Sequence, residues 1–301
     1  MTELLSDLTK IIDLHTPTDG LHESPIPGVY CLKFSGTDPL TKRHHRACLG
    51  IVAQGCKEII LGRKVYRCGA ADYAATPVDL PVVSRIADAS PEKPFLCLLL
   101  GFDPLIMSEV AAQIERDSPK EVDPVRGVFI AKASDQMLDA TIRLGKLFQT
   151  PKDAAVLGPL VIKEIFYHLL KGADGTAIRQ FVLSGSKLQL ISQAVFRLMS
   201  SLADEIDVAA LAEAANMSRS AFFKHFKDVT AVSPIQYQKR LRLLEARRLM
   251  TDEGETAERS AFMVGYNSPS QFSREYSRMF GDAPFRDAVK IKTTGHLIHE
   301  I

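Results

Sequence analysis

The chain has 301 residues, 46% hydrophobic and 24% charged, with a formal net charge of +1. That is ordinary soluble globular composition, with room for two domains that each carry a core. No apolar run approaches the ~20 residues of a bilayer span, and the N-terminus lacks the charged-then-apolar design of a secretory signal, so a cytoplasmic protein with no membrane partner is expected. The five cysteines, Cys31, Cys48, Cys56, Cys68 and Cys97, are odd in number and form no Cys-x-x-Cys pair. In the cytosol they read as reduced core residues, with a redox sensor as the alternative.

Taken in chain order, the first structured texture runs from about 26 to 103. Short β-rich runs (29–34, 47–52, 57–61, 64–68, 73–76, 82–86 and 95–100) alternate with turn signals. They predict a small barrel or sandwich. Leu61-Gly62-Arg63-Lys64 reads as a hairpin turn. Just before the 47–52 run stand five cationic or potentially cationic residues, Lys42-Arg43-His44-His45-Arg46. Such a run costs self-repulsion unless an anion or water neutralises it, and arginine forks suit phosphate and guanine edges. Lys42, Arg43, His45 and Arg46 are therefore candidate ligand-binding residues, against the alternative of a solvated charge run on a loop. His44 and His45 are adjacent rather than spaced His-x-His, and strand neighbours point to opposite faces, so no metal is expected. Nothing resembles a catalytic triad, a Walker loop or a dinucleotide fingerprint; no enzyme activity and no cofactor are expected.

Helical periodicity then predicts helices over 104–117, 135–149 and 154–171, ended by Gly172-Ala-Asp-Gly175. Two helix-turn-helix patterns follow in series. In the first, Val208, Leu211, Ala212 and Ala215 make a narrow apolar face. Asn216 suits a left-handed turn, Ser218 is an N-cap, and Phe222 and Phe226 pack inward. Arg219, Ser220, Phe223, Lys224 and Lys227 remain toward the outer face, where the second helix of such a unit meets the major groove. In the second, Gly265 supplies the turn, Ser268 caps and Pro269 takes the first helical position. Phe272, Tyr276 and Met279 face inward; Ser270, Gln271, Ser273 and Arg274 face outward. Arginine pairs with guanine and glutamine with adenine. Between the units a helix over 235–251, roughly 25 Å long, is stiff enough to hold two reading helices about one duplex turn, roughly 34 Å, apart. Positive charge gathers on these segments, so DNA affinity should be salt-sensitive despite the near-neutral total.

The last hundred residues resemble the DNA-binding domain of AraC/XylS-type transcription regulators. The resemblance runs through Met217-Ser-Arg-Ser, Ser233-Pro-Ile-Gln-Tyr, Arg242-Leu-Leu-Glu-Ala-Arg-Arg-Leu, Val264-Gly-Tyr-Asn-Ser, Phe272-Ser-Arg-Glu-Tyr and Phe280-Gly-Asp-Ala-Pro284. It implies that Arg219, Ser220, Phe223 and Lys224 form one base-reading set, and Ser270, Ser273 and Arg274 the other. Lys224 stands where arginine is common in the family, and Ala231 where glycine is common. Asp19-Gly-Leu-His-Glu-Ser-Pro-Ile-Pro-Gly28, Val52-Ala-Gln-Gly55, Asp79-Leu-Pro-Val-Val83 and Ala89-Ser-Pro-Glu-Lys-Pro94 resemble the N-terminal domain of one subgroup, a cupin-like barrel followed by helices. That implies ligand sensing or dimerisation. Lys42 and Arg46 also hold the Arg-x-x-x-Arg spacing with which PilZ domains bind cyclic di-GMP.

The sequence therefore predicts an α+β protein. A ligand-sensing and dimerisation domain over 1–184 precedes a DNA-binding domain over 185–301. The expected partners are double-stranded promoter DNA, RNA polymerase, a second copy of the chain and a small-molecule effector. Cyclic di-GMP or another anion at Lys42–Arg46 is the first candidate effector. The alternatives are a constitutive, redox-responsive or metabolite-responsive regulator whose barrel only dimerises, and a cupin-like metalloenzyme fused to a DNA-binding domain.

Overall fold

A computed structural model describes residues 2–114 and 126–294. The chain opens on helix α1, Thr2–His15, which buries Leu8 and Ile12 one turn apart. Nine strands follow: β1 Gly20–Glu23, β2 Val29–Phe34, β3 Thr41–His45, β4 Cys48–Gln54, β5 Cys56–Leu61, β6 Lys64–Gly69, β7 Asp72–Thr76, β8 Leu80–Asp88 and β9 Phe95–Gly101. Helix α2, Pro104–Gln113, and strand β10, Phe129–Lys132, lead to α3, Asp135–Lys146, and α4, Pro151–Lys171. The predicted 104–117 helix thus ends at Gln113, and its last three residues lie outside the described residues. Helix α5, Gly175–Arg179, and α6, Lys187–Ser200, link to the helical half: α7 Val208–Ala214, α8 Arg219–Thr230, α9 Pro234–Asp252, α10 Ala257–Met263, α11 Pro269–Phe280 and α12 Pro284–Thr294.

The strands form two sheets, ordered β1-β2-β9-β4-β7-β10 and β3-β8-β5-β6. This is a sandwich, one of the two architectures that the strand spacing predicts; the closed barrel implied by the family resemblance is not shown by these pairings. The reason is local. Strand β4 shifts register between Val52 and Gln54, and Gly55, at φ +80°, swings the chain from the first sheet into the second. A Cβ there would lie 2.6 Å from the Asp88 carbonyl oxygen, so only glycine permits the crossing. The hairpin at Gly62-Arg63 is present, with Leu61 opposite Lys64. Strand β9 is Phe-Leu-Cys-Leu-Leu-Leu-Gly, buried through Leu100. It carries apolar residues on both faces because the second sheet covers one face and helices the other. Helix α1 packs on that helical side against α3, where Gly145 leaves room for Ile11: a Cβ would meet Ile11 Cγ2 at 2.6 Å.

Helix α1 and strands β1, β3 and β10 were not foreseen from periodicity. Strand β3 contains Lys42–His45 of the basic cluster, with Arg46 just beyond its end; the run reads as charge and not as a strand. Among the described residues no helix is long and apolar enough to cross a membrane.

Candidate DNA-reading surface and the cleft beside it

Both helix-turn-helix units are built by local chemistry. In the first, Asp207 caps α7, accepting from the amides of Ala209 and Ala210 at 2.9 and 3.0 Å. Asn216 takes φ +50° at the turn, and the Ser218 hydroxyl accepts from the Ala221 amide at 3.3 Å to start α8. Phe222 and Phe226 are fully buried, and Phe226 meets Tyr237 of α9 edge-on at 5.3 Å. Arg219, Ser220, Lys224 and Lys227 are exposed on one side of α8. Phe223 is half-buried and packs against the main core, so it is less available than its neighbours. The helix ends on Ala231 at φ +63°, a left-handed position that costs alanine more than glycine.

The second unit repeats the plan. Gly265 sits at φ +86°, and the Ser268 hydroxyl accepts from the Gln271 amide at 3.3 Å. Phe272 and Tyr276 are buried, while Ser270, Gln271 and Arg274 are exposed; Ser273 is half-buried. Glu275, on the same helix, was not a sequence candidate. Its Oε1 accepts from Lys239 at 2.6 Å and from Gln271 Nε2 at 3.3 Å, and its Oε2 accepts from the Tyr266 hydroxyl at 2.8 Å. Burial pushes this carboxyl up, but the donors from Lys239, Tyr266 and Gln271 outweigh it and hold the group below its ordinary value.

The two units are held by α9 as one block. Arg242 donates to four backbone carbonyls, of Leu202 at 2.7 Å, Ala203 at 2.9 Å, Asp204 at 2.6 Å and Gly265 at 3.1 Å. It ties the loop before α7 to the turn of the second unit. Arg247, also on α9, forks onto Asp287 of α12 at 2.8 and 3.0 Å, and the Tyr276 hydroxyl donates to the same carboxylate at 2.7 Å.

The basic cluster is distributed rather than convergent. On strand β3, Arg43 is buried and paired with Asp38, while His44 lies 3.5 Å from Asp79. His45 is buried beside Ser84 at 3.4 Å, and only Arg46 is exposed. Lys42 turns the other way and donates to the Met279 carbonyl of α11. The alternative of a solvated charge run on a loop is thus corrected for Lys42–His45, which form a strand, and the four candidate ligand residues do not face one site. His45 and Arg46 border a cavity of about 40 Å³ between the sheets, lined also by Cys48, Cys68 and Cys97. Lys42 instead borders a cleft of about 440 Å³ between the second sheet and helices α9 and α11. The first is small and mostly apolar in its lining; the second has the size of a small-molecule site.

A family model for the N-terminus of AraC-type transcriptional regulators matches residues 25–177, about half of the chain. A helix-turn-helix domain model matches residues 211–286. The chain belongs to the AraC-type transcriptional regulators. The regulator is 25% identical over 154 residues to the transcriptional activator RhaS of Pectobacterium carotovorum, covering 51% of this chain and 54% of RhaS. It is 35% identical over 85 residues to the activator RclR of Escherichia coli, described as specific for RCS, covering 28% of this chain and 30% of RclR. The matches thus span about half the length, or less, of these curated relatives, which are transcriptional regulators and not enzymes. Its fold is that of ToxT from Vibrio cholerae, solved with an unsaturated fatty acid bound. The TM-score is 0.57 at 15% identity, over 91% of this chain and 96% of that one.

Proposed function

We propose that this regulator binds promoter DNA through both helix-turn-helix units and that a small organic effector in its sensor half sets its DNA affinity. The observation that carries the first part is the pair of N-capped helices α8 and α11, each with polar side chains exposed at its start, braced by the 19-residue helix α9. At ~1.5 Å per residue α9 spans roughly 28 Å, close to the separation of successive major-groove segments. Arg219, Ser220, Lys224 and Lys227 would read or position the first segment, and Ser270, Gln271, Ser273 and Arg274 the second.

The effector reading is supported by the 440 Å³ cleft and by the fatty acid in the structure of ToxT. An organic acid is therefore preferred to cyclic di-GMP, because Lys42, Arg43, His44 and His45 have separate partners and Arg46 alone of the cluster is exposed. A homodimer, with RNA polymerase as the downstream partner of DNA-bound protein, completes the reading.

Selection from a random duplex pool, followed by footprinting, tests the DNA reading. Two protected segments one helical turn apart are expected. Arg274→Ala should weaken the selected site by ~1–3 kcal/mol and relax it at one base pair. An unchanged footprint and affinity in that variant would remove Arg274 from the reading set.

A further inference from the structure

We propose that the sensor half touches DNA itself: the β5–β6 hairpin sets Arg63, at its tip, against the sugar–phosphate backbone at the edge of the first major-groove segment. This rests on the reading that both helix-turn-helix units bind DNA, and adds a contact from outside them. The placement starts from α8. Ser220, Lys224 and Lys227 are exposed on its outer side. At 3.6 residues per turn, Ala231 falls within about 40° of all three. The DNA-facing stripe, carried past the end of the helix, therefore runs into Ala231.

The hairpin lies at that point. A Cβ on Gly62 would stand 2.9 Å from the Ala231 Cβ and 3.6 Å from Arg126 Nη1. Gly62 takes φ +65°, so the turn comes close to the Ala231 methyl with the exposed Arg63 as its next residue. Arg126 Nη1 donates to the Leu61 carbonyl at 3.3 Å, and the Gly127 amide donates to the Val229 carbonyl of α8 at 3.0 Å. Tyr66 of β6 shares one core with Phe222 and Phe226 of α8. The hairpin is thus fixed to the first reading helix.

Helix α8 has 12 residues, roughly 18 Å, and the major groove is about 12 Å wide. With its first turn at base edges, its last turn lies at the phosphate rim, and the hairpin tip lies with it. The charge there suits phosphate. Arg63 and Lys64 are exposed neighbours, and among the described residues no carboxylate pairs with Arg63. Arg67, further along β6, stands 3.6 Å from Glu58, and Lys64 lies over the Tyr66 ring at 4.6 Å. Arg63 is therefore the group that DNA can take. An arginine fork matches phosphate oxygens, and such a contact fixes position without reading sequence.

The test is binding of the full chain to the selected duplex across a salt series, by fluorescence anisotropy, with a hydroxyl-radical footprint of the DNA backbone. Each neutralised phosphate adds about 0.9 to the slope of log affinity against log salt. Arg63→Ala should lower that slope by about 1 and weaken binding about fivefold or more at 0.1 M salt, equally on the selected duplex and on its single-base-pair variants. Arg63→Lys should keep the slope. In Arg63→Ala, protection should disappear from backbone positions at one edge of the first segment and stay over the second. Arg63 is exposed in a turn, so the melting temperature should not move. Lys10→Gln removes an equal charge from α1, which packs on the other sheet, and should leave slope and footprint unchanged. A wild-type slope and footprint in Arg63→Ala overturns the hairpin contact. So does tighter binding in that variant, which would make the tip a shield over α8, and so does an equal loss of slope in Lys10→Gln. If the full chain selects no duplex, the DNA reading falls and the hairpin contact with it. A selected duplex on which Arg63→Ala behaves as wild type leaves the DNA reading standing and removes the hairpin alone.

Discussion

At the scale of the residue, burial decides which groups are chemically available. Cys31 and Cys68 are almost fully buried, and burial pushes both thiols up to about 12, Asp72 adding to the effect on Cys68. The thiolate is the reactive form, so at pH 8 only about one part in ten thousand of each is nucleophilic. Iodoacetamide at pH 8 should leave both unmodified in folded protein over a time that labels them fully in guanidinium, as read by peptide mass spectrometry. Comparable rates in the two conditions would reopen a thiol switch at these positions. Glu275 makes the opposite case. Its carboxyl is held below the ordinary 4.5, so its contribution to stability is complete above pH 4.5 and is lost as pH falls through the folded value. Glu275→Gln should cost about 1–3 kcal/mol at pH 7, with the gap to wild type closing as pH falls below 4.5 in urea melts. A gap independent of pH would mean that Glu275 acts through shape and not charge.

At the scale of the element, the helix-turn-helix units were legible because what builds them is local. Asn216 and Gly265 occupy the positive-φ turns, and Ser218 and Ser268 cap the helices that follow. The inward phenylalanines lie four residues apart. The joints between elements were not legible, because they are made by residues far apart in sequence. Strand β3 looks like a charge run because its cations are neutralised or covered by Asp38, by β8 and by α11. The open sandwich depends on Gly55 meeting Asp88 and Phe95. Glu275 gained its role from Lys239 and Tyr266 on other elements. The same logic makes the Gly265 turn more than a turn. A Cβ there would stand 2.1 Å from the Ala203 carbonyl oxygen, which Arg242 also grips. Gly265→Ala combines a backbone clash with a strained φ, and Arg242→Leu strips the ionic donor from four carbonyls. Each should destabilise by about 3 kcal/mol or more and weaken binding to a two-segment duplex more than to a duplex bearing one segment. Equal losses on both duplexes would mean that the clamp stabilises the fold without setting the spacing of the reading helices.

At the scale of the molecule, the two reading units are anchored differently. Phe222, Phe226 and Tyr237 of the first belong to one continuous core with the sandwich and α1–α6. Tyr237 also donates to the Asp79 carbonyl at 2.7 Å. The second unit has its own core around Leu249, Phe272 and Tyr276. A change in the sensor is therefore felt rigidly by the first unit, and by the second through α9 and the cleft. One apolar surface takes no part in this packing. On α4, Val156, Leu157 and Leu160 are 68%, 45% and 62% exposed, with half-exposed Tyr167 two turns further along the same stripe. Solvated apolar side chains at helical spacing on a 21-residue helix suit a second copy of the same helix crossing it, an isologous contact that repeats each residue. A stable pair needs about 1,200–2,000 Å² in total, which α4 supplies only with help from its neighbours α2 and α3. Leu160→Glu places a charge at the centre of that contact while leaving an exposed position in the monomer, so folding stability should move by no more than about 0.5 kcal/mol. Light scattering should then report a dimer for the wild type and a monomer for the variant. Affinity for a duplex carrying two copies of the selected site should fall by about 10²-fold or more as avidity is lost, with affinity for a single copy unchanged. A wild type that is monomeric at tens of micromolar, or a variant that remains dimeric, would move the dimer contact away from α4.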